Sequence, residues 1–127
     1  MTMIKESSTI QENKKIAFNQ CPVTYLMEKI GGYWKPIILF HLLLGSKRYN
    51  ELRKAIPSIT EKMLIQHLRE LEADLLVSRY VKPVVPPHVE YSLTASGKTL
   101  SPILNAMAKW GLENPSVTPA PQTAPVP

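Results

Sequence analysis

Apolar residues recur at helical spacing in four segments between residues 21 and 76. The first segment begins at Pro22, because proline is favoured at the first helical position, and it ends at Gly31 and Gly32. The second segment, 34–44, is apolar on nearly all sides, which predicts a central buried helix. A short third segment ends at Pro57. This part of the chain is therefore predicted to form four helices.

The fourth helix is predicted from a stripe of leucines that faces the core. These leucines are Leu64, Leu68, Leu71 and Leu75. Two starts fit the sequence of this helix. Ser58 and Glu61 have the spacing of a capping box, and Thr60 is an equally suitable N-cap.

The hydrophobic repeat changes to two residues after position 76. Val89, Tyr91 and Leu93 alternate with polar residues, which is typical of a half-buried strand. The segment 77–85 is rich in β-branched residues and is predicted to be its antiparallel partner. The hairpin that joins them places His88 at its tip.

A last helix is predicted to begin after Thr94, which serves as its N-cap. Pro102 either kinks this helix or marks its true start. The helix carries one broad apolar stripe, which comprises Leu100, Ile103, Leu104, Met107, Trp110 and Gly111. The order of elements predicts a mainly helical α+β fold, a winged helix-turn-helix domain with additional N- and C-terminal helices.

The domain boundaries are predicted from the change in composition at both ends. Residues 1–20 are polar without a sustained period, which indicates a flexible arm. Residues 115–127 contain five prolines and no charged residue, so a disordered tail is expected there. Residues 21–114 then form the folded unit. A chain with 44% hydrophobic and 20% charged residues has the composition of one soluble globular domain.

The sequence contains no apolar segment of the kind that enters a membrane. The longest apolar run, 37–44, is interrupted by His41 and is far shorter than the roughly 20 residues of a membrane span. The N-terminal residues lack the apolar region of a secretory signal, so a cytoplasmic protein without membrane contact is expected. The single cysteine, Cys21, excludes an intrachain disulfide and a multi-cysteine zinc site, and no metal or cofactor is predicted.

The charge balance favours a polyanionic partner. Fifteen lysine and arginine residues against ten acidic ones give a net charge of +5 and an isoelectric point near 9.4. The chain lacks a glycine-rich nucleotide loop, a serine-centred nucleophile motif and a carboxylate pair that its spacing would bring together. An enzyme is therefore not expected.

The outer face of the fourth helix carries the candidate base-reading residues. With 3.6 residues per turn, Lys62, Gln66 and Arg69 point away from the leucine stripe. Gln66 suits adenine edges, and Lys62 and Arg69 suit guanine edges or phosphates. Thr60 and Ile65 complete the candidate set, Ile65 for contact with a thymine methyl group. The alternative is an ordinary solvated helix face.

Further charged residues surround this face. Glu61 and Glu70 flank it and would repel phosphate unless they are paired. Basic residues before the helix and on or near the wing are candidates to hold the phosphate backbone, and each is alternatively a solubilising surface charge. They are Lys47, Arg48, Arg53, Lys54, Arg79, Lys82 and His88.

Six blocks of the sequence, in order and at matching spacing, resemble the HxlR-type bacterial transcriptional regulators. The blocks are Cys21-Pro22-Val23, Gly31-Gly32-Tyr33-Trp34, Arg48-Tyr49-Asn50-Glu51-Leu52-Arg53, Ile59-Thr60-Glu61-Lys62-Met63-Leu64, Leu68-Arg69-Glu70-Leu71-Glu72 and Pro87-His88-Val89-Glu90-Tyr91-Ser92-Leu93-Thr94. The resemblance implies a homodimeric winged-helix protein that binds double-stranded DNA. It also implies, for some members, a redox- or electrophile-sensing cysteine at the position of Cys21.

Two positions depart from the family pattern. Tyr33 stands where lysine is usual, and Leu75 stands where glycine usually follows the fourth helix. A left-handed C-cap costs a non-glycine residue about 1–2 kcal/mol. Either Asp74 takes that conformation or the helix ends differently.

Cys21 is placed at the N-cap of the first helix by Pro22. Unpaired N–H groups and the helix dipole lower the pKa of a thiol at such a position. Because the chain has no second cysteine, its reversible products would be a bridge between subunits, a mixed disulfide with a small thiol, or an electrophile adduct. The alternative is an inert structural cysteine.

A dimer is predicted because the terminal helix has more apolar positions than a small winged-helix core needs. Its expected interface consists of Leu26, Leu100, Ile103, Leu104, Met107 and Trp110. Two-fold symmetry would then require a pseudo-palindromic operator. Two alternatives remain: the stripe folds back on its own domain, or the domain is a winged-helix interaction module that binds protein rather than DNA.

Overall fold

The computed structural model describes residues 21–115. The predicted arm, 1–20, and all but the first residue of the predicted tail lie outside the described residues. The described part contains six helices and one three-stranded sheet. In chain order these are α1 (Pro22–Ile30), α2 (Trp34–Leu43), β1 (Lys47–Arg48), α3 (Tyr49–Ala55), α4 (Glu61–Ala73), β2 (Val77–Lys82), β3 (His88–Leu93), α5 (Ala95–Lys98) and α6 (Ser101–Glu113). The predicted mainly helical α+β fold is confirmed.

The starts of α1 and α4 follow from local sequence. Pro22 lies in the first turn of α1, directly after the N-cap residue Cys21. For α4, Thr60 is the N-cap, and its Oγ1 accepts a hydrogen bond from the Met63 backbone N–H at 3.2 Å. Of the two predicted starts, the one at Thr60 is therefore correct.

Helix α2 forms the centre of the domain and packs against α4, β3 and α6. Its Ile38 and Leu39 side chains are completely buried. Because α2 has neighbours on several sides, an almost uniformly apolar helix is stable there. The predicted central buried helix is confirmed.

The end of α4 differs from both predicted alternatives. Leu75 itself is left-handed, with φ 60°, and Asp74 is not, with φ −84°. The Leu76 N–H donates to the Leu71 carbonyl at 3.0 Å, and the Leu75 N–H donates to the Glu72 carbonyl at 2.9 Å. These two bonds form a Schellman motif.

The left-handed turn also changes which leucine is buried. Leu75 is 71% exposed, so its assignment to the core stripe is wrong. Leu76 enters the core in its place, next to the confirmed Leu64, Leu68 and Leu71. The helical period no longer decides the side-chain direction once the backbone leaves the α region.

The sheet has the order β1-β3-β2, and all its pairs are antiparallel. The predicted hairpin is confirmed, with Val77 opposite Leu93. His88 is the first residue of β3, opposite Lys82, and is half-buried, so its predicted place at an exposed tip is wrong. Strand β1 was not predicted, because two residues are too few to show an alternating pattern.

The C-terminal region contains two helices instead of the predicted single one. Thr94 caps the short α5, where its Oγ1 accepts a hydrogen bond from the Gly97 N–H at 2.9 Å. Helix α6 begins anew at Ser101, with Pro102 in its first turn. A continuous helix would bring the proline ring against the Lys98 carbonyl, so Pro102 marks a start rather than a kink.

The apolar stripe of α6 divides between the core and the surface. Leu100 and Leu104 are buried within their own chain, at 9% and 2% exposure, which corrects their assignment to a dimer interface. They are buried because α6 packs across α2. Ile103, Met107 and Trp110 remain 37%, 51% and 58% exposed.

We expect Leu75→Gly to raise the free energy of unfolding by about 0.5–1 kcal/mol. Glycine removes the left-handed strain of about 1–2 kcal/mol but loses more backbone entropy on folding. Urea denaturation of the two proteins measures the difference. Leu75→Ala is the control, since it removes the exposed side chain but keeps the strain. A gain of equal size in the alanine variant would contradict this explanation.

Candidate nucleic-acid interface

The turn between α3 and α4 is held by buried side chains. Ile56 and Ile59 are 4% and 3% exposed and belong to the core, whereas Pro57 and Ser58 between them are exposed. The two isoleucines therefore anchor residues 56–60 against the domain. This anchoring sets the angle at which α4 leaves the turn.

The outer face of α4 presents most of the predicted base-reading residues together. Lys62, Gln66 and Arg69 are exposed along the helix, and Thr60 is exposed at its N-terminus. Ile65 differs, since it is half-buried and turned toward the sheet. Four of the five predicted residues are therefore exposed, three along α4 and Thr60 at its N-cap, and Arg69, like Ile65, also borders the space between α4 and the sheet.

The two glutamates that flank this face are both paired. Arg53 Nη1 lies 3.1 Å from Glu61 Oε2, and Lys35 Nζ lies 2.8 Å from Glu70 Oε1. The hydrogen bond from Lys35, followed by that from Gln66, lowers the pKa of Glu70 to about 2. Both carboxylates therefore have a cation beside them, which reduces their repulsion of a phosphate backbone.

Lys35 was missed by the sequence analysis. Its side chain is only 12% exposed, and it lies 35 residues before Glu70 in the chain. No local pattern joins two residues at such a separation. The signal that was present is indirect: Glu70 stands beside a helix face predicted to bind a polyanion, so a cation from elsewhere in the fold is expected to pair with it.

The candidate phosphate-binding residues lie on several elements around α4. Arg48 and Lys54 are exposed, and Lys47 is half-buried in β1. Arg53 is exposed but is engaged by Glu61. The Arg48 backbone N–H donates to Glu51 Oε1 at 2.7 Å, which fixes the start of α3.

The wing is the hairpin of β2 and β3, and it carries charged residues on both strands. Arg79 and Lys82 are exposed on β2. His88 differs from these two cations, because its Nε2 lies 2.6 Å from Glu90 Oε2 and is therefore already engaged by a carboxylate. The wing therefore offers two exposed cations and one histidine that is already paired with a carboxylate.

A groove of about 600 Å³ separates α4 from the sheet. Arg69 from α4 and Arg79 from β2 both line it, so the helix and the wing each contribute a guanidinium group. The remaining lining residues are Tyr49, Glu61, Ile65, Glu72, Val89 and Tyr91. This groove joins the outer face of α4 to the wing in one surface.

Cys21 is exposed at the N-cap of α1. The backbone N–H groups of Thr24 and then Val23, at the start of α1, lower the pKa of the Cys21 thiol, which forms no capping hydrogen bond of its own. A thiolate is the reactive form of cysteine, so this environment favours reaction with oxidants and electrophiles. The geometry is that predicted for the N-cap position.

The described part of the chain, residues 21–115, lacks a metal-binding cluster and a membrane-spanning helix. No three His, Cys, Asp or Glu side chains in that range lie close enough together to hold a metal ion. None of the helices described is both long and apolar enough to cross a membrane.

Comparison with known proteins gives relatives over most of the chain. The HTH-type transcriptional regulator YybR of Bacillus subtilis is 50% identical over 110 residues, which are 85% of this chain and 88% of that protein. The solved structure of the redox regulator HypR in its oxidized form superposes with a TM-score of 0.72 at 53% identity, over 74% of this chain and 97% of that one. The reduced form of the regulator YodB from B. subtilis superposes with a TM-score of 0.64 at 34% identity, over 75% and 95%.

YybR and YodB are named as transcriptional regulators and HypR as a redox regulator, so these relatives are regulators rather than enzymes, and the two solved structures share the winged helix-turn-helix fold. The sequence model of the HxlR-like helix-turn-helix family matches residues 29–118, which include α2 to α6 and all three strands. The chain therefore belongs to the HxlR-like helix-turn-helix family of transcriptional regulators.

Proposed function

We propose that this protein is a sequence-specific DNA-binding regulator that acts as a homodimer and responds to oxidants or electrophiles through Cys21. The observation that carries the proposal is the outer face of α4. Lys62, Gln66 and Arg69 lie exposed along it, and the two glutamates beside it are neutralised by cations. A helix of this kind fits the major groove, where base edges present distinct donor and acceptor patterns.

The residues divide into two roles in this proposal. Gln66, Lys62 and Arg69 contact base edges from the helix, with Thr60 at its N-terminus. Arg48, Lys54, Arg79 and Lys82 are exposed around the helix and hold the phosphate backbone. Phosphate contacts fix the position of the domain, whereas base contacts choose the sequence.

The dimer in this proposal uses the exposed part of the α6 stripe. Ile103, Met107 and Trp110 expose large apolar surfaces there, and Val23 and Met27 of α1 are 61% and 53% exposed. Apolar surface of this extent favours association with a second apolar surface. Symmetric pairing through α1 and α6 would place two α4 helices on a pseudo-palindromic operator.

The proposed redox response rests on the environment of Cys21 and on its relatives. The thiol is exposed, and backbone N–H groups lower its pKa. One structural relative is named a redox regulator and has been solved in an oxidized form. With one cysteine per chain, a reversible product joins two subunits or attaches a small molecule.

Gln66→Ala should weaken binding to the preferred duplex by about 1–3 kcal/mol and leave binding to random duplex unchanged, because it removes only a base contact. Lys54→Ala should weaken both equally and reduce the salt dependence, because it removes a phosphate contact. Titration of a duplex selected from a random pool, and of random duplex, at several salt concentrations measures both effects. Equal losses on both duplexes from Gln66→Ala would remove Gln66 from the base-reading set. A wild-type protein without salt-dependent duplex binding would favour a protein-interaction module.

Met107→Glu should convert the dimer to a monomer at micromolar concentration, because it places a charge within the exposed apolar stripe of α6. Asn105→Glu adds the same carboxylate to an exposed position of the same helix and should leave the dimer intact. Sedimentation of the three proteins distinguishes them. A wild-type monomer, or equal dissociation by both variants, would contradict the proposed interface.

Mild oxidant or a quinone should change the DNA affinity of the wild-type protein but not that of Cys21→Ser. The thiolate reacts readily because its pKa is lowered, and serine cannot form the same products. Binding titrations before and after treatment measure the change, and reducing agent should reverse an oxidation. An unchanged wild type, or an equal change in the serine variant, would leave Cys21 as a structural residue.

A further inference from the structure

Three side chains connect the core helix α2 to the outer face of α4. Lys35 Nζ lies 2.8 Å from Glu70 Oε1, and Gln66 Nε2 donates to Glu70 Oε2 at 3.3 Å. The two oxygens of the carboxylate thus face different partners. His67 Nδ1 also faces the carboxylate, 3.4 Å from Oε1.

The anchored end of this chain of contacts is Lys35. It follows Trp34 at the start of α2, which is fixed by the buried Ile38 and Leu39. The Lys35 side chain is 12% exposed, whereas that of Glu70 is 43% exposed. A glutamate on a helix surface samples several rotamers unless a second group holds it, and here the ammonium of Lys35 holds it.

The charge of Glu70 decides which way the Gln66 carboxamide faces. A carboxylate accepts hydrogen bonds and cannot donate them, so only the Nε2 end of the carboxamide can face it. This leaves Oε1 and the second N–H of Nε2 available. An acceptor and a donor are what the adenine edge requires of a carboxamide in the major groove.

We propose that Lys35 is a positioning residue for sequence recognition, whose contact with Glu70 orients the Gln66 carboxamide before DNA binds. This inference rests on the proposed function, in which Gln66 reads a base. An oriented side chain loses less conformational freedom on binding, so its contact contributes more to affinity for the correct sequence. Lys35 itself touches no base in this arrangement and acts only through Glu70.

The experiment compares Lys35→Met with the matched control Lys29→Met. Lys29 of α1 also pairs with a carboxylate: its Nζ lies 3.7 Å from Oδ1 of Asp74. Asp74 is the C-cap residue of α4, so this pair lies at the end of the helix and away from Gln66. Both variants remove one positive charge. We expect Lys35→Met to lower the ratio of operator to random-duplex affinity about fivefold or more, and Lys29→Met to leave the ratio unchanged. Lys35→Arg should retain the wild-type ratio.

Two further variants separate positioning from stability and charge. Glu70→Ala removes a carboxylate, so it should strengthen or preserve random-duplex binding and still lower the ratio. Lys35→Met combined with Gln66→Ala should show no greater loss of ratio than Gln66→Ala alone. Equal ratios for Lys35→Met and Lys29→Met, or an additional loss in the Gln66→Ala background, would overturn the proposal.

A measurement without DNA tests the geometry separately from the proposed function. The two side-chain amide protons of Gln66, identified by their absence in Gln66→Ala, should have NMR shifts in the wild type that differ from those of an exposed glutamine. Those shifts should move toward exposed-glutamine values in Lys35→Met and Glu70→Ala, but not in Lys29→Met. If these changes occur and the protein prefers no operator, the proposed function is wrong and the orientation of Gln66 stands. Unchanged shifts in Lys35→Met overturn the positioning role itself.

Discussion

Burial of the leucine face of α4 against α2 sets the rotation of α4 about its own axis. Leu64, Leu68 and Leu71 are each at most 1% exposed, and each contributes roughly 1.5–3 kcal/mol by leaving water. Turning the helix would expose all three together. The face that carries Gln66 is therefore directed outward by the apolar packing on the opposite side, and its direction does not depend on its own contacts.

Two ion pairs then determine the net charge beside that outward face. Arg53 from α3 faces Glu61 at the start of α4, and Lys35 from α2 faces Glu70 farther along it. Surface ion pairs of this kind contribute little to folding stability. Their importance lies in the field around the helix, where they offset two negative charges beside the exposed Lys62, Gln66 and Arg69.

At the end of α4, an unfavourable backbone conformation is offset by favourable contacts elsewhere in the fold. Leu75 is left-handed at φ 60°, which is unfavourable for a residue with a side chain, yet both hydrogen bonds of the Schellman motif form around it. The sharp reversal turns Leu76 into the core and leads directly into β2. Burial of Leu76 and the pairing of β2 with β3 offset the strain.

Periodicity and capping in the sequence by themselves determined α1 to α4, the hairpin and the polar face of α4, because these features depend on neighbours within one or two turns. The N-cap position of Cys21 followed in the same way from Pro22. Only the tertiary structure decided that Leu75 leaves the core, that Leu104 is buried within its own chain, and that Lys35 reaches Glu70. Each of these features depends on residues that are distant in the chain or on a backbone turn that breaks the helical period. The local pattern of hydrophobic and polar residues indicates neither of these causes.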